Sequence, residues 1–146
     1  MRYHPPRRVE SLHHVAIVVQ DLDAALALYR LTLGLDAREV KDVPDQGVRI
    51  AFLPLSGVLL ELVQPTTAES GIARFLAERG RSTLHHVCFA VDDLATTLRE
   101  LEASGVELVD HVPRLGAEGE VAFLHPRAAD GVLIELIDRA TISVKP

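Results

Sequence analysis

The sequence predicts an α+β domain built from two tandem β-α-β-β-β modules, and three observations predict it. The segment Leu12-His13-His14-Val15-Ala16-Ile17-Val18-Val19-Gln20-Asp21-Leu22 returns as Leu84-His85-His86-Val87-Cys88-Phe89-Ala90-Val91-Asp92-Asp93-Leu94, an offset of 72. The segment Gly57-Val58-Leu59-Leu60-Glu61-Leu62 returns as Gly131-Val132-Leu133-Ile134-Glu135-Leu136, an offset of 74. Each opening copy also changes from a short β-branched run to apolar residues at helical spacing. The modules cover 12–64 and 84–138 of one domain over 10–140, with 65–83 as the connecting segment. A repeat of this kind fixes the architecture before any single element is assigned.

The elements follow in order. Each module opens with a strand, and Asp21 and Asp93 stand where a helix N-cap belongs. The first helix carries Leu22, Ala25, Leu26, Tyr29 and Leu33 on one stripe, the second Leu94, Leu98 and Leu101. Gly34 and Gly105 then stop the helices where a left-handed cap is wanted. Further strands are expected at Ala37–Val40 and Val48–Leu53 in the first module, and at Val106–Val109 and Val121–Leu124 in the second. The two Gly-Val-Leu segments close the modules. Between them, Ile72, Ala73, Phe75 and Leu76 ahead of Gly80 predict a short connecting helix. The Pro- and Gly-containing run from His111 to Glu120 reads as a substrate flap, and the ends, 1–9 and 140–146, as loosely held.

With 146 residues the chain is the size of one domain, long enough to bury roughly 68–70% of its unfolded surface. Its 48% hydrophobic and 25% charged residues exclude the disordered class. A net charge of −6, from 15 Lys and Arg against 21 Asp and Glu, argues against nucleic acid and anionic membrane as partners. A small anionic substrate needs only a local cation, and Arg74, Arg79, Arg81, Arg114 and Arg127 are available. The single cysteine, Cys88, has no intramolecular disulfide partner and sits in an apolar run, which fits a buried, inert thiol in a reducing compartment. No apolar stretch reaches the roughly 18 residues of a membrane span, and the first eight residues lack an apolar signal core, so a cytoplasmic location is expected.

The residues that carry chemistry are copied by the repeat: His14 and His86 in the opening strands, Glu61 and Glu135 in the closing strands. Alternation along a strand sets His14 with Ala16 and Val18, and Glu61 with Leu59 and Val63. A buried, unpartnered carboxylate costs several kcal/mol in practice, so Glu61 in LLELV and Glu135 in LIELI require compensation. A lone strand His or Glu is more often hydrogen-bonded than ligating. Two symmetry-related pairs of costly groups, kept in both halves, point instead to one divalent cation per chain held by His14, Glu61, His86 and Glu135. Imidazole and carboxylate donors suit manganese, iron, cobalt, nickel and zinc alike. The neighbours His13 and His85 alternate to the opposite face, where a structural role is expected.

The LHHVAIVVQDLDAALALY opening, DQGVRIAFL, LHHVCFAVDDL and VAFLHPRAADGVLIEL together resemble the methylmalonyl-CoA epimerase family of the vicinal oxygen chelate superfamily, over residues 12–138. The resemblance implies a cupped mixed sheet, a divalent metal (cobalt first, then manganese, nickel or zinc) on the residues matching His14, Glu61, His86 and Glu135, and a homodimer. The implied reaction interconverts (S)- and (R)-methylmalonyl-CoA through abstraction and return of the C2 proton, with Glu135 as the first candidate for the transferring group. Two positions depart from the pattern. Some relatives have a glutamate where this chain has Ile50, and many have histidine where it has Glu118. Asp45 and Glu118 are the substitutes within reach of the sequence, and each is expected to be a solvated loop residue.

A lyase resembling glyoxalase I, acting on a glutathione hemithioacetal, would use nearly the same ligands. Only the AFLHP and DQGV segments speak against it. An extradiol dioxygenase wants two histidines and one carboxylate, one ligand fewer than the repeat supplies. A drug-sequestering binding protein needs no ligand set at all, so metal analysis separates that reading from an enzyme.

Overall fold

A computed structural model describes residues 7–146. The fold is β-α-β-β-β repeated, and its residues gather into two compact units. One unit is His14–His86; the other joins the described residues up to His13 with Val87–Lys145.

In the first unit, β1 (Val9–Val18), which enters it at His14, leads to α1 (Leu22–Leu33), β2 (Glu39–Val43), β3 (Val48–Leu55), β4 (Val58–Pro65) and α2 (Gly71–Arg79). The strands run in the order β2-β3-β4-β1, antiparallel except for the parallel β4–β1 pair, so the sheet is mixed. Asp21 caps α1 by accepting from the Ala24 N–H at 3.0 Å. Gly34 ends it at φ 67°, in the left-handed region that favours glycine. One face of the sheet packs Ile17, Val19, Ala51, Leu53, Leu60 and Leu62 against Leu22, Ala25, Leu26 and Tyr29 of α1. Leu33 does not join that stripe: it is the last helical residue and is 63% exposed. The opposite face is just as dry, with Ala16, Val18, Ile50, Phe52, Leu59 and Val63 buried.

The second unit repeats the plan with β5 (Thr83–Val91), which enters it at Val87, α3 (Leu94–Ala103), β6 (Arg114–Leu115), β7 (Glu120–Phe123) and β8 (Ile134–Asp138). Its order is β5-β8-β7-β6, again with one parallel pair, β5–β8. Asp93 caps α3 through the Thr96 N–H at 3.0 Å. A second echo is less obvious from sequence. The first N–H of each helix is anchored to the strand that closes its module, Leu22 to the Gln64 amide oxygen at 2.7 Å and Leu94 to Asp138 at 3.2 Å. The core of this unit is Val91, Leu94, Leu98, Leu108, Ala122 and Leu136.

Three expectations are corrected. Val106–Val109 is not a strand; only Leu108 makes an isolated bridge, to Leu124. The reason is a side-chain substitution in the ladder. Asp110 takes the Phe123 N–H on its carboxylate at 2.8 Å, while Val109 and Asp110 both donate their backbone N–H to the Phe123 carbonyl. The second strand of the module is instead the two-residue β6 (Arg114–Leu115), inside the expected flap. Second, β2 begins at Glu39 rather than Ala37, because its partners are Val48–Phe52 of β3. Third, the C-terminal end is held: Val144 is buried and its carbonyl lies 2.8 Å from His13 Nε2, and Ser143 donates its N–H to the Glu118 carbonyl at 2.7 Å. At the other end β1 begins at Val9, and residues 1–6 lie outside the described residues.

Candidate metal centre

The parallel pairing of β1 with β4 puts Ala16 opposite Glu61, and His14 opposite Leu59. Side chains of paired residues share a face, so His14 and Glu61 project together from the face that does not meet α1. Phe52 of β3 pairs with Glu61 on its other side and is fully buried. His14 and Glu61 are thus 1% and 2% exposed in apolar surroundings. His14 Nδ1 approaches Glu61 Oε2 to 3.0 Å. That oxygen nevertheless accepts no hydrogen bond among the described residues. Such an approach, close but not aligned as a hydrogen bond, suits donors that share a cation better than partners that satisfy each other.

At the start of β5, His86 is half-buried and brings its Nε2 to 3.1 Å from His14 Nε2. Two nitrogens about 2.0–2.1 Å from one cation, at roughly a right angle, would lie about 3 Å apart. The pair therefore fits a first-row dication, and neutral imidazole with carboxylate is a donor set for one. In the first unit, then, Glu61, His14 and His86 form a chain of contacts through the two nitrogens of the His14 ring.

Glu135 belongs to the second unit, where β8 gives it the position that β4 gives Glu61. It pairs with Cys88 as Glu61 pairs with Ala16, and it is 7% exposed. Cys88 is fully buried, as expected of an inert thiol.

The remaining candidates divide. Asp45, in the turn Pro44–Gln46, is exposed, as expected of a solvated loop residue. Glu118 is not solvated: it is 4% exposed, with its backbone carbonyl accepting from both the N–H and the hydroxyl of Ser143. The flanking glycines were the available signal. A Cβ on Gly119 would lie 2.8 Å from the Thr141 carbonyl oxygen, so this loop is pressed onto the chain that follows β8. Ile50 is buried in the apolar face and supplies no carboxylate.

Of the five arginines, Arg127 is engaged by Glu107, whose carboxyl it holds below the usual range while its own value is raised. Arg114 pairs with Asp110 and lies over the Phe123 ring at 5.4 Å; Arg79 lies over Phe75 at 4.8 Å. Arg74 donates to the Glu69 carbonyl, and Arg81 is exposed.

His13 meets its structural expectation through the Val144 carbonyl. His85 does more than alternation along the strand suggests. Its Nδ1 lies 2.8 Å from Nδ1 of His86, and its ring meets Phe75 edge-on, with centroids 4.8 Å apart.

Comparison with known proteins identifies the relatives of this chain and its fold. Residues 13–123 match the Glyoxalase/Bleomycin resistance protein/Dioxygenase superfamily. The chain is 40% identical over 130 residues to the ethylmalonyl-CoA/methylmalonyl-CoA epimerase of Cereibacter sphaeroides, covering 88% of this chain and 97% of that one. The crystal structure of methylmalonyl-CoA epimerase from Mycobacterium tuberculosis is similar with a TM-score of 0.83 at 36% identity, over 93% of this chain and 92% of that one. A methylmalonyl-CoA epimerase in complex with methylmalonyl-CoA and ammonium gives 0.81 at 31% identity, over 93% and 99%. The doubled β-α-β-β-β fold and likeness along nearly the whole of each relative lead to one assignment: the chain belongs to the glyoxalase/bleomycin resistance protein/dioxygenase superfamily, within its methylmalonyl-CoA epimerase family.

Proposed function

We propose that the protein is a metal-dependent epimerase that interconverts (S)- and (R)-methylmalonyl-CoA. The observation that carries this reading is the contact chain Glu61–His14–His86 in a chain whose relatives include proteins, 35% and 40% identical to it, named as epimerases of this substrate. The substrate is a carbon acid whose C2 lies between a carboxylate and a thioester, so loss of the C2 proton delocalises charge onto oxygen.

The metal site comprises His14, Glu61, His86 and Glu135, with one divalent cation per chain, cobalt by preference and manganese, nickel or zinc as alternatives. A cation held there would supply Lewis-acid stabilisation of charge developing on substrate oxygen. The protein's own groups do the rest. Apolar packing by Ala16, Val18, Ile50, Phe52, Leu59 and Val63 excludes water around His14 and Glu61, which strengthens every electrostatic contact made there. Glu135, kept from solvent on β8, transfers the C2 proton. Inversion requires a second group on the opposite side of C2, and Glu118 is favoured over Asp45 because it is buried and Asp45 is exposed.

A homodimer and a cytoplasmic location complete the reading. No helix among the described residues is long and apolar enough to cross a membrane. Supplying cobalt-loaded protein with (S)-methylmalonyl-CoA and following the appearance of the (R) form tests the proposal. Turnover of a glutathione hemithioacetal in its place would replace it with the glyoxalase reading.

A further inference from the structure

We propose that His85 is a positioning residue for the metal site, acting through His86. The proposal rests on the metal-site reading above and adds a residue that neither the repeat nor the ligand set assigns. His85 Nδ1 and His86 Nδ1 are 2.8 Å apart, a hydrogen-bond distance between two ring nitrogens. Exactly one proton belongs between them, since two lone pairs or two N–H groups would repel at that distance. If His86 is the donor, its Nε2 is bare. That nitrogen is the one facing His14 Nε2 at 3.1 Å. If His85 were the donor, His86 would carry its proton on Nε2, in the place where the cation must bind.

Metal binding therefore selects the arrangement in which His85 Nδ1 accepts the proton of His86 Nδ1. A ligating histidine commonly gives its second N–H to a carboxylate, a carbonyl or a water, which fixes both ring orientation and tautomer. Here a neighbouring imidazole does so. Adjacent strand residues alternate in direction, so this contact requires a fixed His85 ring, and Phe75 of α2 provides the fixing surface: its ring meets His85 at 4.8 Å and 90°. The rings of His85 and His86 themselves lie edge to face, with centroids 5.1 Å apart. His13, the copy of His85 in the first opening strand, has its Nε2 2.8 Å from the Val144 carbonyl.

The test compares His85→Phe and His85→Asn in the full chain. Phenylalanine keeps an aromatic ring against Phe75 but accepts nothing; asparagine offers its side-chain oxygen near the position of Nδ1. Zinc affinity is measured by competition with a chromophoric chelator, at a pH well above the usual histidine range. Removing a second-sphere partner weakens a metal site by about 10–100-fold, so His85→Phe should bind zinc about 10–100-fold more weakly than wild type and His85→Asn close to wild type. Thermal unfolding of metal-free His85→Phe should match metal-free wild type, separating positioning from folding. In zinc-loaded wild type, nitrogen-resolved NMR should place the His86 proton on Nδ1 and show slow exchange with solvent. Wild-type zinc binding with unchanged affinity in His85→Phe would overturn this proposal alone, as would His85→Asn binding as weakly as His85→Phe. No zinc binding by the wild type would overturn it together with the metal-site reading.

Discussion

His14 and His86, 72 residues apart in the chain, bring their Nε2 atoms to within 3.1 Å of each other. Each reaches that position from an opening strand of the repeat, with Glu61 on the far side of the His14 ring at 3.0 Å. The account predicts that purified protein takes up one divalent cation per chain, and that His14→Ala and His86→Ala each weaken uptake by more than the roughly 10–100-fold of a second-sphere loss. Metal analysis and chelator competition check this. Full metal content in both variants would remove these residues from the site.

Glu135→Gln keeps a side-chain oxygen that can ligate but has no proton-accepting carboxylate. It should retain metal and lose C2 proton transfer by about 10²–10⁴-fold, the usual contribution of a general base. Glu61→Gln is the control and should retain most of the transfer rate. A Glu135→Gln variant that transfers the proton at the wild-type rate would make Glu135 a ligand only.

Asp45 and Glu118 are separated by their surroundings, one exposed and one buried. Asp45→Asn should leave epimerisation unchanged. Glu118→Gln should slow inversion, read as conversion of one stereoisomer into the other. The reverse pattern would move the second proton-transfer group to the turn before β3.

The α3 cap gives a pH dependence whose sign is fixed. The Thr96 backbone N–H, then its hydroxyl, hold the Asp93 carboxyl below the usual carboxylate range. A depressed carboxyl stabilises the fold above its unfolded value, and that contribution is lost as pH falls through its folded value. Asparagine caps as well as aspartate without titrating there. Asp93→Asn should therefore flatten the acid limb of thermal stability, whereas Asp93→Ala should lower stability even at neutral pH. An unchanged acid limb in Asp93→Asn would assign the limb to other groups.

Leu98 is fully buried in the core of the second unit, between α3 and its sheet. Leu98→Ala should cost about 2–5 kcal/mol in denaturant unfolding. A loss below about 1 kcal/mol would contradict the packing described for that helix.

Much of this was legible in the chain because the repeat writes it twice. The caps Asp21 and Asp93, the helix before Gly80 and the equivalent pairings of Glu61 and Glu135 all follow from local spacing. What escaped the sequence depends on side chains reaching across the chain. Asp110 replaces a strand by bonding Phe123, thirteen residues away. Glu118 is buried because the segment around Ser143 and Thr141 closes over its loop, a contact that local polarity hides. His85 turns to its neighbour because Phe75, on a different element, holds its ring.

Proton exchange at C2 tests the central claim most directly, because it reports the bond-breaking step whether or not the stereoisomers are separated. Methylmalonyl-CoA is incubated with metal-loaded protein in deuterated water and followed by mass spectrometry or NMR. The account predicts one deuterium at C2, taken up rapidly with metal, abolished by chelation and restored by cobalt. Metal-replete, folded protein that leaves the C2 proton in place would contradict it.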